Sequence, residues 1–153
     1  MVAWPANQSS SWSTAMKEYV DVGHSSTGAH SLGELSAFAS ITFTRDMAAA
    51  NGEVAHTGVG FKPRQVVFFS SVADKSTGSW GVSDGTISKA TFQDNSGVMR
   101  KTEVKSIVLL TVAEHSYSQQ AYLRVLGADG FTLTWSKTGS PTGTATIIAL
   151  CLK

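Results

Sequence analysis

From Leu35 to the end of the chain, apolar and polar residues alternate with a period of two, the pattern of β-strands. The clearest example lies at 131–136, where Phe131, Leu133 and Trp135 alternate with hydroxyl side chains. Such alternation predicts a strand with one buried and one solvated face. The other predicted strands cover 38–45, 54–58, 65–72, 80–82, 86–92, 104–114, 121–126 and 144–152.

The stretch at 58–72, G-V-G-F-K-P-R-Q-V-V-F-F-S-S-V, combines a turn with the most apolar of these strands. Gly58 and Gly60 predict the turn. Pro63 has no N–H to donate, so it fits only the start or the edge of a strand. The run Gln65–Val72 is too short for a helix and rich in strand formers, which predicts a central strand buried on both faces.

Turn signals separate the predicted strands, most clearly Asp84-Gly85 and Asp129-Gly130. Strands that recur about every 8–12 residues, without a long helix after residue 20, favour an all-β fold. We therefore expect an antiparallel β-sandwich over 35–153, and a small barrel is the alternative.

Residues 1–34 differ from the rest, because they are polar, rich in Ser and Gly, and carry only scattered apolar residues. Ser11 can cap a short helix over 12–20, which would place Trp12, Met16 and Tyr19 on one face. About two turns of helix are marginal in isolation, so this face needs a partner.

Residues 21–33 then predict an extended arm interrupted by turns. The arm either has no contacts or attaches the domain to a neighbouring subunit or a larger assembly, and we favour attachment. The candidate assembly residues are Trp12, Met16, Tyr19, Val20, Val22, His24 and His30.

The composition narrows the classes of partner. Charged residues make up 15% of the chain, below the roughly 25% of average soluble domains, which suits surfaces buried against partners. The net charge of +1 provides no basic surface for nucleic acid. No apolar run reaches the roughly 18–20 residues that would span a bilayer, and the N-terminus is not a signal peptide. We expect no membrane insertion and a cytoplasmic start.

Residues with catalytic potential are few and poorly spaced. The four histidines, at 24, 30, 56 and 115, show no zinc-binding spacing, although His24 and His30 could share a metal around a symmetry axis. Adjacent residues on a strand point to opposite faces, so Glu114-His115-Ser116 is not a catalytic triad. The single cysteine, Cys151, lies in a strand pattern and is interpreted as a buried thiol. We expect a non-enzyme without catalytic, cofactor-binding or metal-binding residues.

Three aromatic residues are predicted near loops or outer faces: Trp80, Tyr117 and Tyr122. Aromatic rings of this kind provide platforms for sugar rings, and they also form subunit contacts. We therefore treat these three residues as candidates for ligand binding.

Two segments, 56–72 and 129–153, are similar to small β-sandwich domains of tailed-phage virion proteins of the fibre, collar, tail-tip and capsid-decoration types. The segment V-D-V-G-H-S-S-T-G-A-H-S-L also looks like the leader before such domains, although Thr27-Gly28-Ala29-His30 departs from the D-G-T-H-like run usual there. The same two β segments resemble H-type lectin domains, sandwiches that trimerise and bind sugar. No sugar-contact motif of those lectins is present.

These resemblances imply a jelly-roll or H-type-lectin-like sandwich in a virion protein assembled in the host cytoplasm. The expected partners are further copies of the chain, as a trimer, and other virion proteins. A tail or collar fibre and a capsid decoration both fit. The alternative is a lectin-like carbohydrate-binding module for host attachment, with a host surface glycan as its partner.

Overall fold

The computed structural model describes residues 38–94, 96–111 and 116–153. These residues form ten β-strands and no helix. The strands are β1 (Phe38–Asp46), β2 (Gly52–Thr57), β3 (Gln65–Val72), β4 (Gly78–Ser83), β5 (Ser88–Gln93), β6 (Met99–Thr102), β7 (Ile107–Leu110), β8 (Ser118–Gly127), β9 (Gly130–Thr138) and β10 (Thr144–Leu152). Within the described part of the chain, no helix could cross a membrane.

The strands form two antiparallel sheets. The larger has six strands in the order β1-β10-β3-β4-β5-β6, and the smaller has four in the order β2-β9-β8-β7. The inward faces of both sheets share one hydrophobic core, in which Phe68 from the larger sheet meets Phe131 from the smaller in an edge-to-face contact with ring centroids 5.5 Å apart. This arrangement confirms the prediction of an all-β antiparallel fold and is sandwich-like.

Strand β3 has the predicted bounds, Gln65–Val72, and lies in the interior of the larger sheet between β10 and β4. Val66 and Phe68 are completely buried, whereas Phe69 is 44% exposed. The prediction that both faces are buried is therefore wrong. Among the described residues, no second layer covers the outer face of the sheet, so the outward side chains of β3 stay accessible.

The hairpin between β4 and β5 uses the predicted Asp84-Gly85 turn. Asp84 Oδ1 accepts hydrogen bonds from the N–H groups of Ile87 and Thr86, at 2.7 and 2.8 Å. These bonds hold the pKa of Asp84 below its usual value, because they stabilise the charged carboxylate. Gly85 has a φ of +88°, which glycine adopts without steric cost.

A second carboxylate joins two distant turns. Asp129, in the hairpin between β8 and β9, accepts hydrogen bonds from Gly60 N–H at 2.5 Å and from Gly58 N–H at 3.1 Å. Both glycines have positive φ values, +89° for Gly58 and +85° for Gly60, which confirms the predicted turn before β3. The hydrogen bonds also lower the pKa of Asp129.

Two strands near the middle of the chain differ from the prediction. β6 was not predicted, because its four residues M-R-K-T show no apolar alternation. β7 covers only Ile107–Leu110 of the strand predicted over 104–114, and residues 112–115 lie outside the described part. Both faces of β7 are buried, since Val108 and Leu110 pack with Phe92 in a second cluster.

Cys151 is completely buried in β10, as predicted. Burial raises the pKa of its thiol to about 11, so the thiol stays protonated near neutral pH.

The predictions for the N-terminal segment lie outside the described residues. They are the helix over 12–20, the boundary between 34 and 35, and the assembly residues Trp12, Met16, Tyr19, Val20, Val22, His24 and His30. Glu114 and His115 lie outside as well.

Candidate functional site

Trp80 is the most exposed aromatic residue of the candidate set and lies on the outer face of the larger sheet. Its side chain is 63% exposed, whereas Ser79 before it is buried. Gly81 has no room for a side chain, because a Cβ there would meet the Ser106 backbone oxygen at 1.7 Å. The inner side of β4 at Gly81 therefore leaves no space for a side chain. Trp80, the preceding residue, points to the opposite, outer face because adjacent residues of a strand alternate.

The strand register places Trp80 beside other exposed apolar side chains. Phe69 on β3 pairs with Trp80 on β4, and Ile148 on β10 pairs with Phe69 on its other side. Phe69 and Ile148 are 44% and 45% exposed. We call the outward apolar residues of β1 and β10, together with Phe69 of β3, the apolar patch: Phe38, Phe69, Ile148, Leu150 and Leu152. Trp80 borders this patch.

A cleft of about 360 Å³, here called the Trp80 cleft, opens beside Trp80. Trp80, Val67 and Val82 provide its apolar lining. Its polar lining includes Lys89, Thr91, Lys101, Thr102 and Glu103 from β5, β6 and the residue after β6. An aromatic face beside polar and charged groups is the arrangement of a small-molecule site.

Tyr122 lies on β8, in the smaller sheet, and is 36% exposed. The Lys105 Nζ atom lies 5.2 Å from the centroid of its ring, within the range of a cation–π interaction. Tyr122 lines a second cleft of about 300 Å³, here called the Tyr122 cleft, together with Glu103 and Arg124. The sheets that carry Trp80 and Tyr122 are different, but Glu103 lines both clefts.

Tyr117, the third aromatic candidate, is 43% exposed and lines neither cleft. Its ring packs closely on Gly139, where a Cβ would meet the Tyr117 Cδ1 atom at 2.2 Å. Its backbone oxygen accepts a hydrogen bond from Thr111 N–H at 3.0 Å. The structure therefore brings Trp80 and Tyr122 into neighbouring clefts and leaves Tyr117 apart from them.

The carboxylates whose pKa values are lowered accept hydrogen bonds within turns. Asp94 is completely buried, and its carboxylate accepts hydrogen bonds from the Ser96 hydroxyl at 2.6 Å and from Arg100 Nε at 3.0 Å. The Ser96 hydrogen bond is the main reason that the pKa of Asp94 lies far below its usual range.

In the described part of the chain, no three His, Cys, Asp or Glu side chains are grouped to hold a metal ion.

Sequence reasoning missed the charged residues of the clefts. Lys89, Lys101 and Glu103 read as ordinary solvated positions, and β6, which carries Lys101, was not predicted. The pairing of Thr91 with both Trp80 and Lys101 places these side chains on one face, and no local signal in the sequence reveals that pairing.

Similarity to known proteins identifies no family for this chain. No protein-family model matches the chain, and neither the curated proteins nor the solved structures contain a match. The candidate site therefore depends on the geometry of the Trp80 and Tyr122 clefts.

Proposed function

We propose that this chain is a structural protein of a tailed-phage virion. Residues 1–34 attach it to the particle, and residues 35–153 form the displayed domain, a jelly-roll or H-type-lectin-like sandwich in a tail fibre, a collar fibre or a capsid decoration. The two segments that resemble phage domains, 56–72 and 129–153, support this proposal. They include β3 and β10, which pair with each other in the larger sheet.

The apolar patch is the observation that carries the proposal. Phe38 is 60% exposed, and Phe69 and Ile148 lie on the same outer face, so the described part of the chain presents adjoining apolar side chains. Extended apolar surface of this kind marks interaction sites, and closed symmetric oligomers are the commonest way to cover it. We propose that copies of the chain cover the patch, as a trimer.

Analytical ultracentrifugation of the full chain tests the oligomer. Ile148→Glu places a charge in the patch and should shift the protein to a folded monomer. Ala55→Glu, at an exposed position on β2 in the other sheet, is the matched control and should leave the oligomer intact. A wild-type monomer at micromolar concentration contradicts this part of the proposal.

Incorporation into particles tests the arm. A variant that begins at residue 35 should fold and no longer join the virion, and Trp12→Ala with Tyr19→Ala in the full chain should weaken incorporation. Normal incorporation of the truncated protein would disprove attachment through residues 1–34.

A second candidate function, saccharide binding for host attachment, is favoured by the Trp80 cleft. Trp80 is 63% exposed beside a cleft that contains Thr91, Lys101 and Glu103. An aromatic face packs on the C–H face of a sugar ring, while polar groups bind its hydroxyls. A glycan array should show micromolar binding that Trp80→Ala abolishes and Trp80→Phe partly retains. Binding that is unchanged in Trp80→Ala would rule out this site.

A further inference from the structure

We propose that the Trp80 and Tyr122 clefts form one groove for an acidic oligosaccharide, with one sugar ring on each aromatic residue. This inference rests on the second candidate function, saccharide binding, and names the class of saccharide.

The two clefts adjoin at Glu103. This exposed side chain follows β6 and lines both the Trp80 cleft, of about 360 Å³, and the Tyr122 cleft, of about 300 Å³. Each volume lies at the lower end of the roughly 300–1,000 Å³ of small-molecule sites. A ligand that fills both clefts must pass Glu103, which requires an extended molecule.

The aromatic residues at the two ends support a saccharide. Trp80 and Tyr122 are 63% and 36% exposed, and each combines a large apolar surface with a polar group. Sugar rings have an apolar C–H face and a polar rim of hydroxyls. Thr86 and Glu103 line the Tyr122 cleft and can accept hydrogen bonds from such hydroxyls, whereas the Ser88 hydroxyl already bonds those of Ser83 and Ser106.

The charges of the groove favour an acidic saccharide. Lys89 and Lys101 line the Trp80 cleft, Arg124 lines the Tyr122 cleft, and the Nζ atom of Lys105 lies 5.2 Å from the centroid of the Tyr122 ring. The carboxylates there are Glu103, Glu53 and Asp84: Glu53 Oε1 lies 3.5 Å from Arg124 Nε, and Asp84 Oδ1 accepts a hydrogen bond from the N–H of Thr86 in the Tyr122 cleft. Four cations face three carboxylates, so this region has an excess of one positive charge, which Lys89 and Lys101 carry against Glu103 at the Trp80 cleft. Carboxylate or sulfate groups on the sugar would complement that excess.

Calorimetric titration of the full chain tests the inference with defined probes. They are oligogalacturonates of two and six units, a six-unit chondroitin sulfate, neutral maltohexaose and a six-base single-stranded DNA. We expect one or both acidic hexasaccharides to bind, with the carboxylated and sulfated probes distinguishing the anion. Affinity should fall as salt rises, because exposed charge pairs are screened. Maltohexaose should bind at least tenfold more weakly.

Variants assign the roles of the groups. Trp80→Ala should weaken binding of the hexasaccharide at least tenfold, and Tyr122→Ala should reduce its affinity to that of the disaccharide. Lys89→Gln with Lys101→Gln should weaken binding about two- to thirtyfold, the range of two exposed ion pairs, and should flatten the salt dependence. The matched control, Lys62→Gln with Lys75→Gln, removes two exposed lysines outside the clefts and should have no effect.

The outcomes separate this inference from saccharide binding in general. Equal binding of maltohexaose that depends on Trp80 would keep the saccharide function and overturn the acidic ligand. Hexasaccharide binding that is unchanged in Tyr122→Ala would overturn the continuous groove. If no saccharide binds, both proposals fail, and preferential binding of the DNA overturns the saccharide. Dissociation of the oligomer in Trp80→Ala would assign Trp80 to a subunit contact and overturn the inference.

Discussion

The His56 side chain lies between the two sheets, stacked on aromatic rings. Its ring centroid is 3.8 Å from that of Phe43 on β1 and 5.2 Å from that of Phe131 on β9. Its Nε2 atom is buried and has no hydrogen-bond partner among the described residues. Burial, and secondarily the charge of Arg45, lower the pKa of His56 below 6.5, since both disfavour the protonated ring.

This environment predicts that the fold loses stability in mild acid. The unfolded chain takes up a proton at His56 near pH 6.5, whereas the folded chain does so only at lower pH. Stability is therefore complete above about pH 6.5 and falls as the pH drops from there towards the folded pKa. Urea unfolding between pH 8 and pH 5 should show this loss, and His56→Phe should reduce the slope.

His56→Gln is the control for loss of the aromatic ring. Glutamine is uncharged at every pH, so this variant should also reduce the slope of unfolding free energy against pH. The carboxylates with lowered pKa values, including Asp84 and Asp129, lose their contribution only below about pH 4, outside this window. A slope that is the same in the wild type and both variants would contradict the prediction.

At the scale of elements, the Asp129 carboxylate joins the turn before β3 to the β8–β9 hairpin. It binds Gly58 and Gly60 from 71 and 69 residues away in the chain. The same turn is reinforced by the Val59 N–H, which donates to the Asp129 backbone oxygen at 3.4 Å. Two segments distant in sequence are thus fixed together by one residue.

We predict that Asp129→Ala lowers the free energy of unfolding more than Asp129→Asn, since the amide keeps one acceptor oxygen. Gly60→Ala should lower the free energy of unfolding by about 1–2 kcal/mol, because the backbone φ of +85° is unfavourable for alanine. No steric clash adds to this cost, since a Cβ there meets no atom within 4 Å. Urea denaturation of the single and double variants measures these effects.

The stability losses of Asp129→Ala and Gly60→Ala should not add in the double variant, because both substitutions act on the same turn. A double variant whose loss equals the sum of the two single losses would mean that Asp129 does not support the Gly58–Gly60 turn.

At the scale of the whole molecule, adjacent residues of β3 serve different surfaces. Phe68 is completely buried in the core between the sheets, and Phe69 belongs to the apolar patch on the outer face. Strand alternation alone separates their environments. Substitutions of Phe68 and Phe69 therefore test different contacts: Phe68 those within one copy, and Phe69 the proposed contacts between copies.

Phe68→Ala should lower the free energy of unfolding by about 3–5 kcal/mol, since it leaves a cavity in the core. Phe69→Ala should change the stability of the monomer by less than about 1 kcal/mol and weaken the oligomer. Urea unfolding and sedimentation velocity measure the two effects. Comparable stability losses for both variants, with no change in sedimentation, would contradict the proposed use of the outer face.

Local sequence patterns were enough to predict the strands whose two faces differ. The alternation of Phe131, Leu133 and Trp135 with hydroxyl residues predicted the buried face of β9, and Asp129-Gly130 predicted the turn before it. These features are local, because side-chain direction follows from strand geometry and turn conformation follows from the residue types in the turn. The same local rule predicted Trp80 as an exposed aromatic residue.

The pairing of the strands, and which faces are exposed among the described residues, could be learned only from the three-dimensional fold. It placed β10 between β1 and β3, which assembles the apolar patch, and it showed Phe69 to be exposed where the sequence predicted burial. It also placed Glu103 between the clefts of Trp80 and Tyr122. These relations depend on contacts between residues far apart in the chain, and the polarity of neighbouring residues carries no information about them.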